Sequence, residues 1–142
     1  MKIRRLAIDA YEEIVSLWSR AGLPFRPRGR DSKEAMATEM AANPDFFLGA
    51  FESNHLVGVV VLSCDRRKGW INRLATDPDH RRCGIARALI AESERILRKH
   101  GVRLFCVLID GDNAASRSLF NECGYLEHHD ILYLSKRDDD EI

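Results

Sequence analysis

Three strand-like runs follow one another with little between them: residues 46–51, 56–63 and 70–75. The connections Glu52-Ser53-Asn54-His55 and Asp65-Arg66-Arg67-Lys68-Gly69 are far shorter than the dozen or more residues a crossover between parallel strands needs. The runs therefore form an antiparallel meander. Before them the apolar period is helical. A first strand over 2–8 leads to Asp9, a suitable N-cap, and Tyr11, Ile14, Val15 and Trp18 then recur at helical spacing until Gly22 and Pro24. A basic loop, Leu23 to Asp31, precedes a second helix that opens at Ser32, carries Ala35, Met36 and Met40 inward and stops at Asn43-Pro44. After the meander, the polar loop Thr76 to Cys83 opens a long helix, Gly84 to His100, with Ile85, Ala86, Leu89, Ile90, Ile96 and Leu97 on its apolar face. Val102 to Ile109 is apolar enough for a strand buried on both faces. A shorter helix spans 114–123, and Tyr125 onward, with Ile131 to Leu134, supplies a last strand or pair of strands. The order βααβββαβαβ is an α+β layout with one sheet.

Composition narrows the function classes. The 142 residues suit a single domain, and 45% hydrophobic with 31% charged residues exclude a disordered chain. The longest apolar run, Leu56 to Leu62, is strand-sized, well below the ~20 residues of a membrane-spanning helix. No apolar signal-peptide segment follows Met1-Lys2-Ile3-Arg4-Arg5, so a soluble cytoplasmic protein is expected. Basic and acidic residues both number 22. Zero net charge argues against a duplex-binding protein, whose affinity comes largely from neutralising phosphates, although cations concentrated over 66–103 keep that reading as a rival. The domain is expected over 1–137, with the acidic residues 138–142 as a frayed tail. Cys64, Cys83, Cys106 and Cys123 lack the paired spacing of a zinc site, and no metal is expected.

The chemistry concentrates between Trp70 and Arg87, where a strand enters a polar loop ending Arg81-x-x-Gly84-x-Ala86 at a helix start. First-turn amides of a helix have no internal partner, and the helix dipole adds about half a positive charge. Gly84 admits a ligand close to the backbone, Ala86 keeps the next turn slim, and Arg81, Arg82 and Arg87 add cations. Together these suit a diphosphate. The hexapeptide alone arises by chance in roughly one chain in seven of this size, so its context carries the weight. No Gly-Lys-Ser/Thr follows as in a Walker loop, and the three glycines of a dinucleotide fingerprint are missing.

That context resembles the GNAT N-acetyltransferases, whose signature is a Gln/Arg-x-x-Gly-x-Gly/Ala loop after the fourth strand. Asn113-Ala-Ala-Ser-Arg-Ser-Leu-Phe-Asn-Glu-Cys-Gly-Tyr125 is similar to the family's second signature, Asn-x-x-Ala-x-x-Leu-Tyr-x-x-x-Gly-Phe/Tyr. The likeness covers nearly the whole chain and is strongest to small YpeA- and RimI-like bacterial and archaeal members. It implies a single-domain GNAT fold: a mixed central sheet of about six or seven strands with helices on both faces. It also implies acetyl-coenzyme A as cosubstrate and an amine acceptor, a small molecule or a protein N-terminus, in a monomer or homodimer. By position, the backbone of Arg82, Cys83, Gly84, Ile85, Ala86 and Arg87, with Arg81, would hold the diphosphate. Leu74, Ala75 and Thr76 would bind the pantetheine arm in a gap between the fourth and fifth strands. Asn113, Ser116 and Phe120 would line the same channel.

Two departures concern the chemistry. Phe120 stands where the family often has a Tyr acid, and Leu108 where RimI-like members often carry a Glu base. The remaining candidates are Asp110, at the end of the fifth strand, and Tyr125. Without a base, an α-amine with pKa near 7.8, neutral in about one molecule in seven at pH 7, is favoured over a lysine at about one in 2,500. Arg26, Arg28 and Arg30 of the basic loop suggest an anionic group on the acceptor. A non-catalytic acyl-coenzyme A-binding or regulatory module is the alternative function.

Overall fold

A computed structural model describes all 142 residues. Five strands form one sheet in sequence order: β1 (Lys2–Arg5), β2 (Phe47–Glu52), β3 (His55–Cys64), β4 (Gly69–Thr76) and β5 (Phe105–Cys106). The first three pairings are antiparallel and β4–β5 is parallel, so the sheet is mixed. The meander is β2 to β4, as its short connections require. Leu56 to Leu62 are all buried, so β3 is covered on both faces.

Two helix pairs provide that cover. On one face lie α1 (Tyr11–Arg20), burying Ile14, Leu17 and Trp18, and α2 (Lys33–Ala42), burying Met36 and Met40. Ser32 caps α2 by accepting from the Ala35 amide at 3.1 Å. On the other face lies α3 (Ile85–Lys99), so close that a Cβ at Gly58 would stand 2.7 Å from Ile85 Cγ2. Beside it α4 (Ala114–Glu122) is joined by an Arg87–Glu122 ion pair and a 2.7 Å hydrogen bond from the Tyr125 hydroxyl to Glu94. No helix is long and apolar enough to cross a membrane.

Three expectations are corrected. Asp9 lies inside a single 3-10 turn, Ile8–Ala10, and α1 starts one step later without a side-chain cap. The strand expected over 102–109 pairs only at Phe105 and Cys106, because the chain then diverges from β4. The last strand is absent, giving five strands rather than six or seven: residues 126–138 make no backbone–backbone hydrogen bond. Their ends are fastened elsewhere, Glu127 to Arg117 at 2.7 Å and Glu141 to Arg28 at 3.1 Å.

Candidate active site

The site begins with an irregularity in β4. Val59 pairs with Ala75 but Val61 with Asn72, so β4 carries one extra residue, and Arg73 takes a left-handed φ of 57° to accommodate it. Beyond Trp70, β4 has no partner on its β5 side. Its open backbone from Ile71 to Thr76 faces Val107 to Asp110 across a cleft of about 1200 Å³.

At one end of this cleft stands the head of α3. Asp77 braces the loop leading to it: one carboxylate oxygen accepts from the Asp79 amide and the other from Arg20, each at 2.9 Å. The Asp79 amide chiefly, aided by Arg20, holds the Asp77 carboxyl below the usual carboxylate range. Arg82 and Gly84 both adopt positive φ, 65° and 79°. The amides of Arg82 through Arg87 donate to no protein group, the first α3 turn bonding onward from Ala88 to the Gly84 carbonyl. Six neighbouring unpaired donors at a helix start make a ready anion cradle. A Cβ at Gly84 would meet no protein atom within 4 Å, so the space in front is open. A diphosphate fits this donor set.

The other end is acidic and aromatic. Asp31 is buried, and one of its oxygens accepts from the Arg26 amide at 2.6 Å and from Arg73 at 3.3 Å. The Arg73 guanidinium also stacks over Trp18, 4.3 Å from the ring centroid. Burial lowers Arg73 from its ordinary value, and Asp31 opposes that shift. Glu39 of α2 lines this end with no cationic partner, and burial, with the neighbouring Asp31, raises its carboxyl above the usual value. Of the basic loop's three arginines, only Arg30 lines the cleft, while Arg28 is paired with Glu141.

The structure brings nearly all the expected binding residues to one place. Leu74, Ala75, Thr76, Arg81, Arg82, Gly84, Ile85, Ala86, Arg87, Asn113, Ser116 and Phe120 all line the cleft. Cys83 does not; its thiol lies 3.7 Å from the Arg81 carbonyl. Asn113 both lines the cleft and caps α4, accepting from the Ser116 amide at 3.1 Å. Asp110 lines the cleft as the turn residue whose carbonyl accepts from Asn113. Tyr125 stands outside it, edge-to-face on buried Phe120, and burial together with Glu94 raises its hydroxyl pKa. Sequence reasoning missed Asp31, Arg73, Trp18, Glu39 and Tyr133, all of which line the cleft. The overlooked signal was Arg73, the one charged residue of β4, which demands a counter-charge where it is buried.

Comparison with known proteins agrees with this geometry. The model of the acetyltransferase (GNAT) family matches residues 9–125. The acetyltransferase SG1711 of Sodalis glossinidius is 33% identical over 137 residues, covering 96% of this chain and 95% of that protein. In shape the chain is similar to the aminoglycoside N-acetyltransferase AAC(6')-Iy in complex with a coenzyme A bisubstrate analogue: TM-score 0.77, 20% identity, coverage 96% and 97%. It is also similar to the ribosomal-protein-S18-alanine N-acetyltransferase of Escherichia coli: TM-score 0.74, 20% identity, coverage 89% and 78%. The chain therefore belongs to the acetyltransferase (GNAT) family, enzymes that take their acetyl group from acetyl-coenzyme A.

Proposed function

We propose that this acetyltransferase acts on a primary amine, carried by a small molecule or a protein N-terminus, by direct attack on the thioester. The observation that carries the reading is a single cleft with an unpaired amide cluster at one end and carboxylates at the other. The amides of Arg82 to Arg87, with Arg81, hold the diphosphate. The open edge of β4 at Leu74, Ala75 and Thr76 receives the pantetheine arm as an added strand. Asn113, Ser116 and Phe120 form the opposite wall. The amine nitrogen attacks the acetyl carbon, the C–S bond breaks, the electron pair leaves on the coenzyme's sulfur, and the nitrogen loses its proton to solvent. A β4 amide near Leu74 to Thr76 meets the charge growing on the carbonyl oxygen.

Asp31 and Glu39 favour an acceptor that arrives as an ammonium ion, because Glu39 has no cation of its own. Phe120 offers no hydroxyl and Leu108 no carboxylate, so the amine must shed its proton readily. An α-amine or another weakly basic amine does so. Both acceptor kinds occur on this fold, as the two structural relatives indicate by name. The donor is an intracellular metabolite, which supports a cytoplasmic reaction.

The test is thiol release from acetyl-coenzyme A across a panel of amines, with the acetylated product weighed by mass spectrometry. Turnover on α-amines above that on internal lysine peptides is expected. Turnover confined to lysine peptides refutes the acceptor assignment, and no turnover on any amine refutes the acetylation of amines.

A further inference from the structure

Arg73 is placed at some cost and then barely used. Its φ of 57° is a left-handed conformation that side chains resist, adopted where the β4 bulge lies. The guanidinium so placed is only 18% exposed, yet its one hydrogen bond is long, 3.3 Å from Nη2 to Asp31. Its Nε is enclosed and donates to no protein group. Buried donors without an acceptor are rare, and each calls for a ligand or an ordered water to complete it. A guanidinium is a planar fork of N–H donors, the shape that takes both oxygens of a carboxylate at once.

Two further charges stand uncommitted at the same end of the cleft. Arg30 and Glu39 both line it, and neither side chain forms an ion pair or a hydrogen bond. They form one cluster with the Arg73–Asp31 pair: Arg30 disfavours the charge on Arg73, and Asp31 disfavours that on Glu39. Asp31 is already engaged, by the Arg26 amide at 2.6 Å and by Arg73. Glu39 accounts for the ammonium of an amine acceptor. Arg73 and Arg30 are left as cations with donors to spare and no anion to meet them.

We propose that the acceptor carries a carboxylate beside its amine, bound by Arg73 and Arg30 while Glu39 receives the ammonium. This rests on the amine acetylation proposed above and narrows it to amines that bear an acid group. Two sources share that chemistry: the α-carboxylate of a free amino acid, and the side chain of an Asp or Glu at a peptide N-terminus. In either, anchoring the anion fixes how the amine approaches the open edge of β4.

Initial rates of thiol release from acetyl-coenzyme A, on matched acceptors that differ only in the carboxylate, test this. One pair is an amino acid and its amide; the other is a peptide beginning with Asp and the same peptide beginning with Asn. In at least one pair the acid should show a kcat/KM about 10- to 150-fold above its neutral mate, as a charge-assisted contact gives, and that pair names the source. The amino-acid amide is the less basic amine, so its larger free-base fraction works against the expected result. Arg30→Gln, at an exposed side chain, should narrow the ratio, mainly by raising KM for the acid. Arg73→Lys, which keeps a cation beside Asp31 but loses the fork, should do the same. Equal kcat/KM within both pairs overturns this proposal and leaves amine acetylation standing. A ratio unchanged in both variants overturns the assignment to these arginines, and no turnover on any amine overturns both readings together.

Discussion

Gly84 and Gly101 share a left-handed backbone, φ +79° and +84°, at opposite ends of α3. Neither has a protein atom within 4 Å of where a Cβ would stand. Alanine at either position therefore incurs only the left-handed penalty of about 1–2 kcal/mol. For a chain of this size that lowers Tm by about 3–6 °C. The two sites differ in what the new methyl faces: only Gly84 lines the cleft. A methyl there holds the diphosphate off at least one amide. A charge-assisted contact of that kind contributes about 1.5–3 kcal/mol, so affinity should fall roughly 10- to 150-fold. Calorimetric titration of coenzyme A into wild type, Gly84→Ala and Gly101→Ala, alongside thermal scans, separates the effects. Both variants should lose the same stability and only Gly84→Ala should lose affinity. Equal coenzyme affinity in the two variants would refute the cradle.

Asp31→Ala strands the Arg73 guanidinium, which is only 18% exposed, and should cost about 3 kcal/mol, read from the urea midpoint. Gly58→Ala puts a Cβ 2.7 Å from Ile85 Cγ2 and 2.9 Å from Leu89 Cδ1, so it should destabilise by about 1–2 kcal/mol. Because Ile85 opens the first turn of α3, it should also raise KM for acetyl-coenzyme A. Arg117 first, then Asn121, holds the Glu127 carboxyl down at about 2. A folded value below the unfolded one means stabilisation that is present above pH ~4.5 and is lost as pH falls toward 2. Thermal midpoints of Glu127→Gln should therefore change less than those of wild type across that window.

What the chain says locally, it says well. The helical spacing around Trp18, the caps Ser32 and Asn113, and the short connections of the meander each depend on near neighbours. The cradle was legible for the same reason: Gly84 and the first α3 turn are consecutive in sequence. The acceptor end was not. Asp31 and Arg73 are 42 residues apart and meet only because α1 packs on β3 and β4 and the loop after it returns across the sheet, and nothing around Arg73 announces the bulge that turns it inward. The last strand shows the converse failure. Ile131 to Leu134 has strand chemistry, but a strand exists only where an edge accepts it, and its fastened ends keep it from its own.

Amide chemical shifts followed during a titration with coenzyme A test the central claim most directly. The resonances of Arg82 through Arg87 should move together and saturate with a single dissociation constant, while those of Lys99 to Gly101 at the far end of α3 stay fixed. Stationary Arg82 to Arg87 resonances at saturating coenzyme would contradict it.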